Sequence, residues 1–469
     1  GGRGGQPPSF GAPTDEAAAD APGAVRRPAA SPGFDDPQAE GALLQIWLLA
    51  GARGMFQMTR ICMGPLLLGM TEDHGYSAED KGLILSAFAG GYAFTTVVGG
   101  VAADAIGGAP VILFGLLSSA LSLFLLPVAA DAGVLRVWWL LWLMGFTQGP
   151  TYPSQLAATA RWATGSFRSY ASALGAAGST VGSLVALGGT PAVASRIGWR
   201  SAARLAGGAT LLFGALWRAL GRSGPGGGAG ARRADQVGSA GNAQSSRSLG
   251  RYVRVLTAVP VLAVFLAHSV HNFVRYFLMG WMPTYYSDVL RVSPDAAGLL
   301  QMLPEMFGLL VSIVSAPFGC WLQRTGTLSA VSSRRMFASA SFMGGAGGLW
   351  LMSTMTSART VTACMCLVQG VATLQGLGYG ANYLDVSRHH SGLVTGVGNT
   401  VATGASFLAP VVASWVLSAG GGGGLRHEDW QRLFRLFACS NLLGVAIFVP
   451  LCSVAPVDVE EEPEQKKTQ

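Results

Sequence analysis

Residues 55–70 read MFQMTRICMGPLLLGM, and they run on without a break from GALLQIWLLAGARG at 41–54. Leucine, methionine, phenylalanine and glycine dominate, as in a helix that crosses lipid, yet Arg60 stands in the middle. A charge at the centre of a bilayer costs about 2.5–3.5 kcal/mol on insertion scales. A guanidinium at that depth faces a partner or a water-filled path, not hydrocarbon, so this one stretch asks for neighbouring helices that enclose it.

Composition supplies those neighbours. Of the 469 residues, 50% are hydrophobic and 12% are Asp, Glu, Lys or Arg, whereas a soluble domain carries about 25% charged residues. Apolar runs recur from residue 42 to 455, each of roughly 20 residues and so long enough to cross about 30 Å of hydrocarbon as a helix. The fold class is an all-α, multi-pass membrane protein. The net charge of +7 does not point to nucleic acid, because the basic residues are not gathered on one arm with interleaved aromatics. Cys62, Cys320, Cys364, Cys366, Cys439 and Cys452 all lie in apolar runs and read as buried small hydrophobes. Neither a disulfide framework, nor a metal site, nor a cofactor is expected.

Twelve spans are expected, near 43–70, 80–103, 109–130, 135–160, 168–192, 201–220, 255–287, 294–321, 332–355, 358–385, 390–419 and 430–455. The organisation reads as a disordered segment 1–42, a six-helix half 43–220, a Gly/Ser-rich flexible linker 221–254, a second half 255–455 and a disordered tail 456–469. Residue 1 is not Met, which reads as a fragment or a trimmed chain, and the acids among the first forty residues argue against a transit peptide. Of the 31 Lys and Arg, eighteen fall on the side of both termini and the linker, ten on the other, and Arg53, Arg60 and Arg275 at membrane depth. The excess puts both termini and the linker in the cytosol. The membrane itself (plasma membrane, vacuole or vesicle, or plastid envelope) is left open.

The halves echo each other. YSAEDKGLIL (76–85) resembles VSPDAAGLLQ (292–301), and QGPTY (148–152) resembles QGLGY (375–379). Six-plus-six repeats joined by a linker imply the major facilitator fold, with the substrate site near the midplane between the halves. His268, His271 and Arg275 are spaced i, i+3, i+7 on one face of helix 7, so Arg60 and that face are expected to converge on a central cavity, completed by a bound anion. Arginine suits this task because its planar fork donates two parallel hydrogen bonds to carboxylate or phosphate. The alternative for Arg60 is a structural ion pair with Glu305, the one clear carboxylate in mid-span. Arg53 reads as a residue that snorkels to the interface, and His268 as a packing residue. Glu305 is a candidate proton site.

HNFVRYFLMGWMPTYYSDVL (271–290), QGPTYP (148–153), GGVAADAIGG (99–108) and ANYLDVSRHHSGLVTGVGN (381–399) resemble the anion:cation symporter branch of the major facilitator superfamily. That branch includes phosphate, vesicular glutamate and sialic-acid transporters, and the helix-7 stretch is most similar to its plant and algal anion transporters. The resemblance implies secondary transport of an inorganic or organic anion, phosphate or carboxylate, coupled to H⁺ or Na⁺. It implies that Arg60 binds the anion, that His271 takes the place of a helix-7 arginine, and that Gly100 and Asp104 belong to a conformational switch. Ala105 stands where a basic residue usually follows, Gln148 where a helix-4 glutamate implicated in proton coupling is common, and Leu85 where some members have histidine. Coupling then runs through Glu305 or Na⁺, or transport is uncoupled. The expected substrate set is Arg60 with His271, Arg275, Tyr152, Gln148 and Asn399. GAAGSTVGS (175–183) and GVGNTVATGAS (396–406) are expected to let helices pack closely and slide.

Two rivals stand beside this reading. One is a transporter-like sensor that binds an anion without moving it. The other is a membrane enzyme using His389, His390 and Asp385, although adjacent helical residues point about 100° apart and do not readily share one substrate.

Overall fold

In the computed structural model, residues 37–163, 167–224, 245–387, 390–419 and 426–458 are described, apart from the side chains of 37–40, 97–106, 167–169 and 245–249. Among the described residues there are twelve rods. α1 is Pro37–Ile61, continued after a kink at Cys62 by Met63–His74; α2 is Ala78–Ile106 and α3 is Gly108–Asp131. α4 is Val134–Gln148 followed by Thr151–Trp162, α5 runs from Phe167–Leu184 through a π turn into Thr190–Ile197, and α6 is Trp199–Leu220. In the second half, α7 is Val259–Thr284 with a π turn Tyr285–Val289, α8 is Pro294–Arg324 and α9 is Ala330–Met352. α10 is Ala358–Ala372, a 3₁₀ turn Thr373–Gly376 and Tyr379–Asp385; α11 is Ser391–Ala419 and α12 is His427–Leu451.

Seven of these rods are long and apolar enough to cross a membrane by length and composition alone. Of the others, α1 carries charge at membrane depth and α4 is cut by a kink, where Pro150 supplies no N–H. Outward faces are apolar: Phe94, Leu212 and Trp415 are each 70% exposed or more, which suits lipid and not water. α1 begins at Pro37, inside the segment read as disordered, and Ser245–Leu256 is helical inside the stretch read as linker. The remainder of 1–42, of 221–254 and of the tail lies outside the described residues, apart from the first few residues of the last two.

Packing repeats with a step of six. α1 lies on α5 as α7 lies on α11, α3 on α6 as α9 on α12, and α2 on α4 as α8 on α10. Across the halves, α2 packs on α11 as α5 packs on α8. The glycines of 175–183 do what their composition suggests: a Cβ on Gly178 or Gly182 would run into the backbone oxygens of Ala50 and Gly54, so α1 and α5 touch through their main chains.

The halves meet on the side away from the linker. There Lys81 Nζ of α2 lies 3.3 Å from Asp288 Oδ2 at the end of α7, and Ser195 Oγ of α5 donates to Asp295 Oδ1 of α8 at 2.7 Å. Pro283 of α7 closes over Gly64 of α1, and Ser414 of α11 over Gly82 of α2.

Candidate functional site

Two helix faces build the centre of the molecule. On α1, Arg53, Gln57 and Arg60 are spaced i, i+4, i+7; on α7, His268, Asn272 and Arg275 repeat that spacing with Tyr276 beside them. All seven line one cavity of about 220 Å³, with Tyr92 of α2, Tyr152 and Gln155 of α4, Ser179 of α5, and Asn399 and Thr403 of α11 completing its wall. Every one of these positions except Arg53 to Arg60 and the α2, α4 and α5 residues comes from the second half, so the site lies between the two bundles. Toward the linker side it continues past Tyr152, His268 and Asn399 into a vestibule of about 880 Å³, bordered by Leu156, Tyr383 and Thr395.

The electrostatics are one-sided. Three guanidiniums, Arg53, Arg60 and Arg275, face the cavity, and among the described residues no carboxylate lines it. Arg60 rests between aromatic faces, its Cζ 5.0 Å from the Phe88 ring centre and 5.5 Å from that of Tyr92. Its Nη1 donates to Tyr276 Oη at 3.2 Å, while its Nε is buried without a partner. Arg53 lies 5.0 Å over the ring of Tyr152. Ring quadrupoles and a phenol oxygen thus hold charges that elsewhere are held by acids. A cavity of this kind has donors in excess and room for an anion.

The structure sorts the expected residues. Arg60, Arg275, Tyr152 and Asn399 meet in the cavity. His271 does not: it turns toward Tyr379 of α10, ring centres 5.8 Å apart, because the cavity face of α7 runs through 268, 272 and 275. His268 occupies that face instead, with Nδ1 3.0 Å from Tyr383 Oη. Gln148 is fully buried, and its Nε2 donates to Thr59 Oγ1 at 3.1 Å and Ser119 Oγ at 2.8 Å. It ends the first segment of α4, with its Oε1 buried and without a partner; the second segment brings Tyr152 and Gln155 to the cavity. Arg53 does not snorkel. α1 starts earlier than its apolar pattern, which leaves Arg53 deep in the helix.

Glu305 forms no ion pair with Arg60. Its Oε1 accepts from Gln369 Nε2 at 3.0 Å, in a separate cavity of about 40 Å³ that it shares with Arg275 and Gln301. Gly100 and Asp104 fall in the last turns of α2, and their surroundings lie outside the described residues. So does His389; Asp385 is engaged by Arg334 at 2.8 Å and His390 by Asp458 at 3.2 Å, which leaves the rival enzyme arrangement unassembled. Among the described residues no cluster suits a metal ion. Tyr276, Gln57 and Gln155 stood outside the expected set, as did Asn272 at the flank of the helix-7 face, although writing α1 over α7 so that Arg60 meets Arg275 also pairs Gln57 with Asn272.

Comparison with known proteins agrees with this fold. The family model described as Major Facilitator Superfamily matches residues 49–410. A probable chloroplastic anion transporter 4 of Oryza sativa subsp. japonica is 28% identical over 83% of the chain, which spans 65% of that relative's length. The chloroplastic sodium-dependent phosphate transport protein 1 of Arabidopsis thaliana is 28% identical over 83% of the chain and 75% of its own. Human sialin is 27% identical over 80% and 75%. Among solved structures, a bacterial homolog of the human lysosomal transporter Spinster superposes with a TM-score of 0.67 at 13% identity, covering 89% of this chain and 97% of that one. That likeness is one of fold.

Proposed function

The chain belongs to the Major Facilitator Superfamily, and on that premise we propose that it carries a small inorganic or organic anion, phosphate or carboxylate, across a membrane by alternating access. One observation carries the reading: three arginines at the junction of the halves face a cavity that no described carboxylate lines. Arg60 is the primary contact, Arg53, Arg275 and Tyr276 assist, and Asn272, Asn399 and Tyr152 bound the site. The anion enters from the linker side, where the vestibule opens, and the halves then rock about the fixed site. Two plant relatives are named as a chloroplastic anion transporter and a chloroplastic sodium-dependent phosphate transport protein, which favours a plastid envelope with the linker and termini on one face. Coupling to H⁺ through Glu305, or to Na⁺, completes the cycle.

The test is uptake of labelled phosphate and carboxylates into proteoliposomes, with and without a pH or Na⁺ gradient. Saturable uptake lost in Arg60→Lys is the expected result. Binding without flux identifies a sensor instead, and uptake equal to the parent in Arg60→Lys removes the site assignment.

A further inference from the structure

We propose that Arg275 couples the solute to the proton: the anion in the central cavity and Glu305 compete for its guanidinium, so an anion that binds frees Glu305 to take a proton. This rests on the anion-transport reading above. Arg275 borders three spaces. They are the central cavity, the pocket of about 40 Å³ that holds Glu305, and a pocket of about 220 Å³ between α7 and α10. No other charged side chain among the described residues lines both the central cavity and the pocket of Glu305. Arg60 is fixed between Phe88 and Tyr92 and tied to Tyr276, and Arg53 lies over Tyr152. Arg275 has no hydrogen bond or ion pair among the described residues, so it is the guanidinium free to turn.

Glu305 is half-buried, and its Oε1 accepts from Gln369 Nε2 at 3.0 Å. Its pocket is walled by Ile61 of α1, Leu187 of α5, Leu278 of α7, Gln301 of α8 and Met365 of α10. Among the titratable and charged groups on those helices, Arg275 alone faces it. On its far side Arg275 meets His271 and Tyr379, and neither reaches the pocket of Glu305. A carboxylate in such surroundings keeps its charge while a cation lies beside it and takes a proton when that cation is withdrawn. With the central cavity empty, Arg275 serves Glu305. An anion at Arg60 offers the guanidinium a second pair of acceptors, in a cavity that no described carboxylate lines. The fork turns to the anion, and Glu305 takes one proton from solution, so the charge withdrawn is replaced. Linkage is reciprocal: a proton on Glu305 releases Arg275 and tightens anion binding.

Calorimetry on the purified protein, in buffers of different ionisation heat, counts the protons taken up as phosphate or gluconate binds. Beyond what the anion itself exchanges, the parent should take up as many as about one proton per anion, and its affinity should weaken at least about fivefold from about pH 5 to about pH 8. Glu305→Gln should take up none. With Arg275 always free, it should bind at the alkaline end as tightly as the parent does at the acid end. Arg275→Met should bind weakly at every pH and take up none, and Arg275→Gln gives the same reading where the methionine variant does not fold. Arg275→Lys, which keeps the charge, should restore the uptake at reduced affinity. A structural role alone would alter affinity and leave the proton count as it is. Binding without proton uptake in the parent, binding that needs Na⁺ instead, or uptake that persists in Glu305→Gln or Arg275→Met overturns the coupling role and keeps anion transport. Failure of both anions to bind overturns the anion reading as well.

Discussion

A guanidinium flanked by Phe88 and Tyr92 and tied to Tyr276 has its charge balanced only in part, and this makes Arg60 the most sensitive position in the chain. Lysine keeps the charge but loses the fork. Losing one charge-assisted hydrogen bond of about 1.5–3 kcal/mol predicts a roughly 10- to 100-fold fall in uptake by Arg60→Lys, with an unchanged melting profile. Tyr276→Phe removes a single hydrogen bond across the halves and should raise KM by roughly fivefold, read in the same uptake assay. Arg60 was legible because an isolated charge amid apolar residues has few physical explanations. The partners were less so. Apolar pattern alone did not reveal that α1 starts at Pro37, so Arg53 looked peripheral. His268 and His271 differ by 300° of helical rotation, and sequence gave no means of telling which flank of α7 borders the cavity. Gln148 looked free because the hydroxyls of Thr59 and Ser119 that occupy it come from other helices.

Element-scale behaviour follows from close approach. The main-chain contact of α1 with α5 leaves no space for a side chain at Gly182. Gly182→Leu must part the two helices, at a cost of about 1–3 kcal/mol for overpacking, and should lower the Tm of the purified protein while displacing Arg53 and Arg60 enough to abolish uptake. An unchanged Tm would show the helices free to separate. The small-residue run announced this contact in the sequence; it did not announce that α2 and α4 meet as closely through Gly91 and Gly145, since a single glycine facing one glycine pair carries no repeating pattern. At the non-linker end, Asp73 accepts from Trp199 Nε1 at 2.8 Å and is engaged by Arg200, which also reaches Asp131 at 2.8 Å, with His74 beside them. These bonds, that of Trp199 first, hold the Asp73 carboxyl below its usual range. A depressed carboxylate stabilises the fold above its unfolded value of about 3.9 and loses that contribution as pH falls through its folded value. Trp199→Phe should therefore lower Tm at neutral pH, and the difference from the parent should shrink in strong acid.

Taken as a whole, the molecule is closed at one end and open at the other. The spans, the two halves and their repeat were legible because hydropathy and length are written along the chain, whereas which end is shut depends on contacts between residues some two hundred positions apart. Lys81 and Asp288 make one such contact, their side chains 9% and 24% exposed. α2 and α7 belong to different halves, so this ion pair exists only while the non-linker end is shut, and it weights the equilibrium toward the linker-open form. At about 1 kcal/mol for a partly exposed pair, Lys81→Met should raise the population open at the other end by roughly fivefold. A cysteine placed at Ser414, which lies against Gly82 beneath that closure, reports it in a background lacking the native cysteines. Labelling by a membrane-impermeant maleimide from the non-linker side should rise by that factor in Lys81→Met and fall back on addition of a solute that favours the linker-open form. If labelling is the same with and without Lys81, the closure rests on the helix contacts of α2 with α11 and α5 with α8, and the ion pair follows the motion instead of biasing it.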